Sequence, residues 1–212
     1  LEETSEKRFI SITAGQTANV QENTAATTTV MTVATDTTPT GCGISSGNGD
    51  GDGDGNSAFA ISSTCVITVN DAGDLDFETT TSYTLTILAT DGNGADSETV
   101  TISVTDQAID ITATSFTIAE NLANTGAVGT LASTGDSATN AGFTISSGNA
   151  NGAFAVAAGG AVTVADTTAI DYDTATSQTV VFTITDGTNA VTESVTISFT
   201  DVNDQTPAVN VA

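Results

Sequence analysis

Residues 98–106 of the chain read ETVTISVTD, and residues 193–201 read ESVTISFTD. Both stretches alternate apolar residues with serine or threonine, and both end in an aspartate, Asp106 or Asp201. Alternation with a period of two places one face of an extended strand on a core and the other face in water. The sequence therefore predicts two closely similar amphipathic β-strands, 95 residues apart.

The same spacing separates other pairs of short motifs. LDFE at Leu75 precedes IDYD at Ile170 by 95 residues. The same interval separates two further pairs, which are ATDG at Asp91 and ITDG at Asp186, and AFAI at Phe59 and AFAV at Phe154. QEN at Glu22 and AEN at Glu120 are 98 residues apart. Motifs repeated in one order at nearly one spacing indicate tandem structural units. We predict a first domain over 1–108, a second over 109–206, and a linker or tail over 207–212.

Both units show strand signals rather than helix signals. Residues 83–87, 100–104 and 180–184 carry period-two apolar patterns, and Asp-Gly turns follow at Asp91 and Asp186. The chain is rich in threonine, valine and isoleucine, whose branched side chains favour strands. Several short strands with regular turn signals are typical of a β-sandwich. The predicted fold class is all-β, with two tandem Greek-key β-sandwich domains.

The chain is strongly acidic, with 26 acidic residues, two basic residues (Lys7 and Arg8) and a net charge of −24. Nucleic acids are bound through lysine and arginine, so this composition excludes them as partners. No apolar run is long enough to span a bilayer, and we expect no direct membrane insertion. Dense like charge opposes folding unless cations neutralise it. Charge alone leaves two interpretations open, namely solubility and metal binding.

The acidic residues recur at matching places in both units, mainly where strands end. The recurring positions are Glu22 and Glu120, the pairs Asp76/Glu78 and Asp171/Asp173, Asp91 and Asp186, and the terminal Asp106 and Asp201. Side chains at i and i+2 of an extended segment point the same way, so we expect Asp76 and Glu78 to share one ligand. Calcium takes six to eight oxygen ligands. Recurrence in both units favours calcium over a simple crowding of acidic residues at turns.

The order of these motifs resembles the cadherin repeat. The chain has an early Glu-Asn, then Ala-Thr-Asp36, Leu-Asp-Phe-Glu, Ala-Thr-Asp91 and finally DVNDQTP over 201–207. The family is marked by an early glutamate, an LDRE motif, an A-x-D motif and a DxNDNxP linker. The resemblance covers nearly the whole chain. It implies an extended rod, calcium ions at domain junctions and an extracellular or cell-surface location, and the low lysine and high threonine content favours a prokaryotic surface protein or adhesin.

The resemblance also assigns metal ligands. It places Glu22, Asp76, Glu78, Asp106 and Asp110 at the central junction, with Asp136 and Asp186 from the second unit. The first linker lacks the Asn-Asp pair, and the D-x-D motif survives only as Asp36-Thr-Thr and Asp136-Ser-Ala. We therefore expect fewer or weaker ions there than in the family. A better-formed half-site is expected at the C-terminal end, from Glu120, Asp171, Asp173, Asp201, Asn203 and Asp204, which a following domain or another subunit would complete.

The first unit carries an acidic insertion. Ile44-Ser-Ser-Gly-Asn48 matches Ile145-Ser-Ser-Gly-Asn149, but Asn48 lies 11 residues before Phe59 whereas Asn149 lies 5 before Phe154. The six extra residues correspond to GDGDGD over 49–54, with Asp50, Asp52 and Asp54 alternating with glycine. This run resembles the front of calcium loops, although Ile61 stands where a helix-loop-helix hand needs glutamate. A metal-binding loop and a solvated acidic loop both remain open.

The two cysteines, Cys42 and Cys65, flank this insertion. A secreted β-sandwich makes a disulfide between them the favoured interpretation. A thiol metal site would need further cysteines or a histidine, and the chain has neither.

The sequence supports four candidate functions unequally. Paired carboxylates could cleave glycosides, but these pairs recur in both units and no histidine is present, so we expect no enzyme. The favoured prediction is a calcium-binding extracellular structural or adhesion module, whose partners are further cadherin-like domains. One alternative is a calcium-dependent filament, in which the C-terminal half-site of one copy accepts Asp36 and Asp91 of the next, head-to-tail. Surface glycans are a further alternative, weakened by the scarcity of aromatic residues.

Overall fold

The computed structural model describes residues 8–113, 115–135 and 142–203. Within these ranges the elements are β-strands, with one 3₁₀ turn at Thr167–Ala169. The chain divides into two compact units, Leu1–Gln107 and Ala108–Ala212. Two predicted metal ligands, Asp136 and Asp204, and the predicted tail over 207–212 lie outside the described residues.

The first unit is built from two facing sets of strands. They are β1 (Gln16–Gln21), β2 (Thr29–Thr32), β3 (Gly41–Ser46), β4 (Phe59–Ile61), β5 (Val66–Val69), β6 (Ser82–Thr90) and β7 (Ala95–Thr105). One sheet has the order β1-β7-β6-β3 and the other has the order β2-β5-β4. β1 runs parallel to β7, and the other pairs are antiparallel. Neighbours such as β1 and β7 are distant in sequence, because the chain crosses between the two sheets before it returns to β1.

The long hairpin of β6 and β7 confirms the predicted alternation. In β6 the side chains of Tyr83, Leu85 and Ile87 are buried, while the intervening threonines face outward. In β7 the buried residues are Val100 and Ile102, followed by Val104. The register pairs Leu85 with Val100, so apolar residues meet on the same face of the sheet. Burial of this face supplies the main driving force for folding of the unit.

The second unit repeats the arrangement. Its strands are β8 (Asp110–Ile111), β9 (Ser115–Ala119), β10 (Ala127–Thr130), β11 (Ser133–Thr134), β12 (Thr144–Ser147), β13 (Phe154–Val156), β14 (Ala161–Val164), β15 (Ser177–Thr185) and β16 (Ala190–Thr200). The sheets have the orders β9-β16-β15-β12 and β10-β14-β13, with β8 and β11 as a separate pair. β9 runs parallel to β16, as β1 does to β7.

The strand positions reproduce the repeat that the sequence predicted. β4, β6 and β7 begin at residues 59, 82 and 95, and β13, β15 and β16 begin 95 residues later, at 154, 177 and 190. Each unit has its own apolar core, one that includes Leu85 and Ile102 and one that includes Phe182 and Ile197. The predicted fold class, all-β with two tandem β-sandwiches, is confirmed. Among the described residues, no helix is long and apolar enough to cross a membrane.

Candidate metal sites

Glu22 is the most deeply buried of the predicted ligands in the first unit. It follows β1, its side chain is 2% exposed, and its two carboxylate oxygens accept two backbone N–H groups. The N–H of Phe77 donates to Oε2 over 2.8 Å, and the N–H of Gln107 donates to Oε1 over 2.5 Å. Glu22 therefore joins the LDFE segment to the residue that follows the terminal Asp106.

Glu120 has the same role in the second unit. The N–H of Tyr172 donates to its Oε2 over 2.6 Å, and the N–H of Val202 donates to its Oε1 over 2.6 Å. Glu120 is also buried. A buried carboxylate that accepts two N–H bonds is favourably satisfied and retains lone pairs for a further ligand.

The segment that carries Asp76 and Glu78 is a turn, so the prediction of an extended segment is wrong. The N–H of Thr80 donates to the carbonyl of Asp76 over 2.7 Å, closing one turn of helical backbone. In the second unit the N–H of Ala175 donates to the carbonyl of Asp171 over 2.9 Å. The local Asp side chain stabilises this turn, because the N–H of Thr79 donates to Asp76 Oδ1 over 3.0 Å.

Despite the turn, the first-unit carboxylates converge. Glu22, Asp76 and Glu78 each offer one oxygen, and these oxygens lie within 4.8 Å of one another. Their burial decreases from the buried Glu22 through the half-buried Asp76 to the exposed Glu78. This geometry is suited to a hard cation that is open to solvent on one side.

The corresponding residues of the second unit, Glu120, Asp171 and Asp173, are not among the convergent groups found in the described part of the chain. Asp171 accepts two bonds from Thr174, whose hydroxyl donates to Oδ2 over 2.7 Å and whose N–H donates to Oδ1 over 3.1 Å, just as Asp76 accepts two bonds from Thr79. These bonds hold the pKa of Asp171 below its usual value, and the bond from the hydroxyl has the larger effect. The second unit thus has the turn and the buried glutamate without the convergence.

Asp91 and Asp186 close the two long hairpins. Asp91 Oδ1 accepts the N–H groups of Asn93 and Gly94 at 2.7 and 2.9 Å, and the first of these bonds lowers the pKa of Asp91 most. Asp186 Oδ1 accepts the N–H groups of Thr188 and Asn189 at 2.8 and 2.6 Å. Both carboxylates therefore have a structural role in the turn in addition to the predicted metal role.

Asp36 is followed by Thr37, whose hydroxyl donates to Asp91 Oδ2 over 3.4 Å. Its own carboxylate is already engaged. The N–H of Ser11 donates to Oδ1 over 2.7 Å, and Arg8 forms an ion pair with Oδ2 over 2.9 Å. A cation at Asp36 would therefore compete with Arg8.

The remaining predicted ligands lie near strand ends. Asp106 follows β7 and Asp201 follows β16, while Asp110 begins β8 and its Oδ1 accepts the N–H of Ile111 over 2.8 Å. Asn203 is exposed, at the end of the described residues.

The acidic insertion is a loop whose ends are held together by an asparagine side chain, and each unit has its own copy of this asparagine clamp. The side-chain amide of Asn48 donates to the carbonyl of Phe59 over 2.7 Å and accepts the N–H of Phe59 over 2.9 Å. Asn149 forms the same pair of bonds with Phe154, at 2.8 and 3.1 Å. The extra residues of the first unit therefore extend a loop whose two ends are already held together.

The predicted loop residues Asp50, Asp52 and Asp54 lie near two further aspartates, Asp71 and Asp74, from the segment after β5. The sequence analysis did not identify these two. Asp50, Asp52 and Asp74 form one group of oxygens within 4.8 Å, and Asp52, Asp54 and Asp71 form another. Asp74 is 2% exposed. Burial raises the pKa of its carboxyl, and the charges of Asp52 and Asp71 raise it further. The pKa of Asp54 is lowered chiefly by a hydrogen bond from the backbone N–H of Asn56, and then by one from the side-chain amide of Asn56.

Aligning the sequences of the two units could have identified Asp74. Asp74 precedes Leu75 in the first unit, and Ala169 precedes Ile170 in the second. The unit without the insertion therefore has no acidic side chain at this position.

Cys42 and Cys65 form a disulfide, as predicted, with a Cα–Cα distance of 5.2 Å. Cys42 lies on β3 and Cys65 immediately precedes β5, so the bond joins the two sheets of the first unit. It also ties the segments on either side of the acidic loop.

Comparison with known proteins found no matching family model and no matching curated protein. Solved structures with similarity include cadherin ectodomains. Human desmocollin-1 is 20% identical, with a TM-score of 0.44, over 89% of this chain and 41% of that one. Drosophila N-cadherin EC1-3 is 20% identical, with a TM-score of 0.43, over 92% and 67%. Human CDH23 EC21-23 is 18% identical, with a TM-score of 0.46, over 89% and 68%. The chain spans about two fifths of the desmocollin-1 ectodomain.

Proposed function

We propose that this chain is a calcium-binding structural or adhesion module that acts outside the cell, with calcium making the junction between its two units rigid. The observation that carries the proposal is the convergence of Glu22, Asp76 and Glu78 within 4.8 Å. Glu22 is held in place by two backbone N–H groups, so the set is organised by the fold of the unit. The cadherin-like order of motifs supports calcium as the ion.

The charge of the chain supports the same conclusion. With a net charge of −24 and two basic residues, one of which pairs with Asp36, the chain has almost no internal counter-charge. Calcium bound by clustered carboxylates would lower their mutual repulsion and stabilise the folded state. The proposed junction ligands are Glu22, Asp76, Glu78, Asp106 and Asp110, with Asp136 and Asp186 from the second unit. Together they would hold the units as an extended rod.

Scanning calorimetry and small-angle X-ray scattering, in calcium and in chelator, test this proposal. A ligand present at about 100 times its Kd adds about 2.7 kcal/mol to the free energy of unfolding, which appears as a clear rise in Tm. If calcium makes the junction rigid, the scattering data in calcium should also fit a narrower distribution of molecular dimensions than the data in chelator. Glu78→Gln removes an exposed carboxylate of the site and should reduce both effects, whereas Glu98→Gln, on β7 outside the acidic groups, should not. Equal Tm values and scattering curves in calcium and chelator would overturn the proposal.

A second candidate function is assembly of copies head-to-tail. It is favoured by Glu120, which makes the same two backbone bonds at the second unit that Glu22 makes at the first. A neighbouring copy offering Asp36 and Asp91 could then complete the predicted C-terminal half-site, and contacts that do not close give filaments. Light scattering and electron microscopy at increasing calcium test this function, and a strict monomer at high calcium would contradict it. No observation among the described residues favours the glycan alternative.

A further inference from the structure

One carboxylate oxygen of Asp74 is buried and accepts no hydrogen bond from the described residues. Its side chain is 2% exposed, and Oδ2 has no hydrogen-bond partner among the described residues. Oδ1, in contrast, accepts the N–H groups of Gly51 and Asp52 at 2.5 and 3.2 Å. Burying an unsatisfied carboxylate oxygen is costly, so the native environment is expected to supply a partner.

The partner must suit a strongly negative environment. Asp50, Asp52 and Asp74 converge within 4.8 Å, and Asp52 also converges with Asp54 and Asp71. The whole chain has two basic residues, and Arg8 pairs with Asp36. Five carboxylates in one region therefore require positive charge from solution, and a divalent cation that accepts oxygen ligands meets this requirement.

The loop is organised around these carboxylates. Asp50 accepts the N–H groups of Gly53 and Gly55 at 2.7 and 2.9 Å, and Asp52 Oδ1 accepts the N–H of Asp54 at 3.1 Å. Gly73 leaves room for the Asp52 carboxylate in its present position, because a Cβ there would require Asp52 Oδ2 to move. The carboxylates are thus positioned by the backbone before any ion binds.

Asp74 is not required by the fold itself. The second unit has the same strands and the same Asn149 clamp, but it lacks the insertion and has Ala169 in place of Asp74. The buried aspartate and the acidic loop therefore occur together in one unit and are absent together from the other. This pairing favours a joint role for the loop and Asp74.

We propose that Asp50, Asp52 and Asp74 bind a calcium ion within the first unit, with Asp54 and Asp71 as adjoining carboxylates. This site uses none of the carboxylates assigned to the junction and would be filled whether or not the junction binds calcium. Its role would be to fix the acidic loop against the segment that precedes Leu75.

Isothermal titration of the full chain with calcium chloride tests the proposal. Asp52→Asn changes an exposed ligand, and Asp74→Asn changes the buried one without a change in shape. Both variants should bind one fewer calcium equivalent than the wild type, while Glu98→Gln should bind the same number. Circular dichroism and Tm in chelator verify folding, and Asp52→Asn keeps the test valid if Asp74→Asn does not fold.

The two proposals can fail separately. If Asp52→Asn binds as many calcium ions as the wild type, the loop site is wrong, whatever happens at the junction. If Glu78→Gln leaves calcium binding unchanged while Asp52→Asn loses one equivalent, the junction proposal fails and the loop site stands. Magnesium chloride titrated in place of calcium should give weaker binding, because magnesium demands stricter octahedral geometry.

Discussion

Glu22 accepts the backbone N–H of Phe77 over 2.8 Å, although the two residues are 55 positions apart in the chain. Glu120 and Tyr172 repeat the relationship over 2.6 Å in the second unit. The residue predicted as a calcium ligand is therefore also the acceptor that holds the acidic turn against the end of the first strand. This structural role explains why the turn has the same form in both units. Among the described residues, the glutamate converges with the turn carboxylates only in the first unit.

Glu22→Gln should destabilise the first unit even in chelator. A glutamine can present one oxygen, so its amide would face either the N–H of Phe77 or that of Gln107 and leave one donor unsatisfied. Loss of a buried hydrogen bond to a charged group costs about 1.5–3 kcal/mol. We expect the free energy of unfolding to fall by about 2 kcal/mol in urea titrations with chelator. Glu98→Gln is the control, and equal stability of the two variants would contradict a structural role for Glu22.

The disulfide should contribute strongly to the first unit. Cys42 and Cys65 are 23 residues apart, and the chain-entropy model gives about 3 kcal/mol for a loop of this size. We expect the double variant Cys42→Ala/Cys65→Ala to lower the Tm of the first unit and leave that of the second unchanged. Mass spectrometry of native protein should find no free thiol. Two free thiols, or unchanged stability, would contradict this prediction.

Asp74 should produce an unusual dependence of stability on pH in the absence of calcium. Its pKa is raised in the folded state, chiefly by burial, so the folded protein holds this proton more tightly than the unfolded chain does. The contribution of Asp74 to stability therefore falls as pH rises through the folded pKa. Asp74→Asn should be more stable than the wild type at neutral pH, and the difference should shrink as pH falls toward the ordinary value of 3.8.

Chemical denaturation of both proteins in chelator, at several pH values, measures this difference. Calcium should reverse the order at neutral pH, because the ion stabilises only the wild-type carboxylate. A pH-independent difference between the two proteins would argue against a raised pKa at Asp74.

Tyr83 should sensitise luminescence from a lanthanide ion bound at the acidic loop. Its hydroxyl donates to the carbonyl of Asp74 over 2.5 Å, and the chain has one other tyrosine, Tyr172, and no tryptophan. In a Tyr172→Phe background, terbium added in place of calcium should show emission sensitised by Tyr83. Asp52→Asn should remove most of this emission, and Glu78→Gln should keep most of it. The opposite pattern would place the sensitised ion near the junction carboxylates.

Some features could be predicted from the sequence because they depend on local patterns. Period-two alternation identifies residues 83–87 and 100–104 as strands whatever their partners, and the spacing of 95 residues identifies two copies of one unit. The six-residue insertion followed from comparing Asn48 with Asn149. The cysteine pairing followed from there being two cysteines in a β-sandwich.

Other features depended on segments that meet only in the folded chain. The turn at Asp76 replaced the expected extended segment because the carbonyl of Asp76 bonds the N–H of Thr80, a choice that alternation of residue types does not reveal. Asp74 became part of the acidic loop because folding brings it to Gly51 and Asp52, 23 and 22 residues earlier. The sequence by itself determined the long strands of each unit, the repeat and the acidic character. Only the tertiary structure decided which carboxylates share a site, because burial and convergence arise from contacts between distant segments.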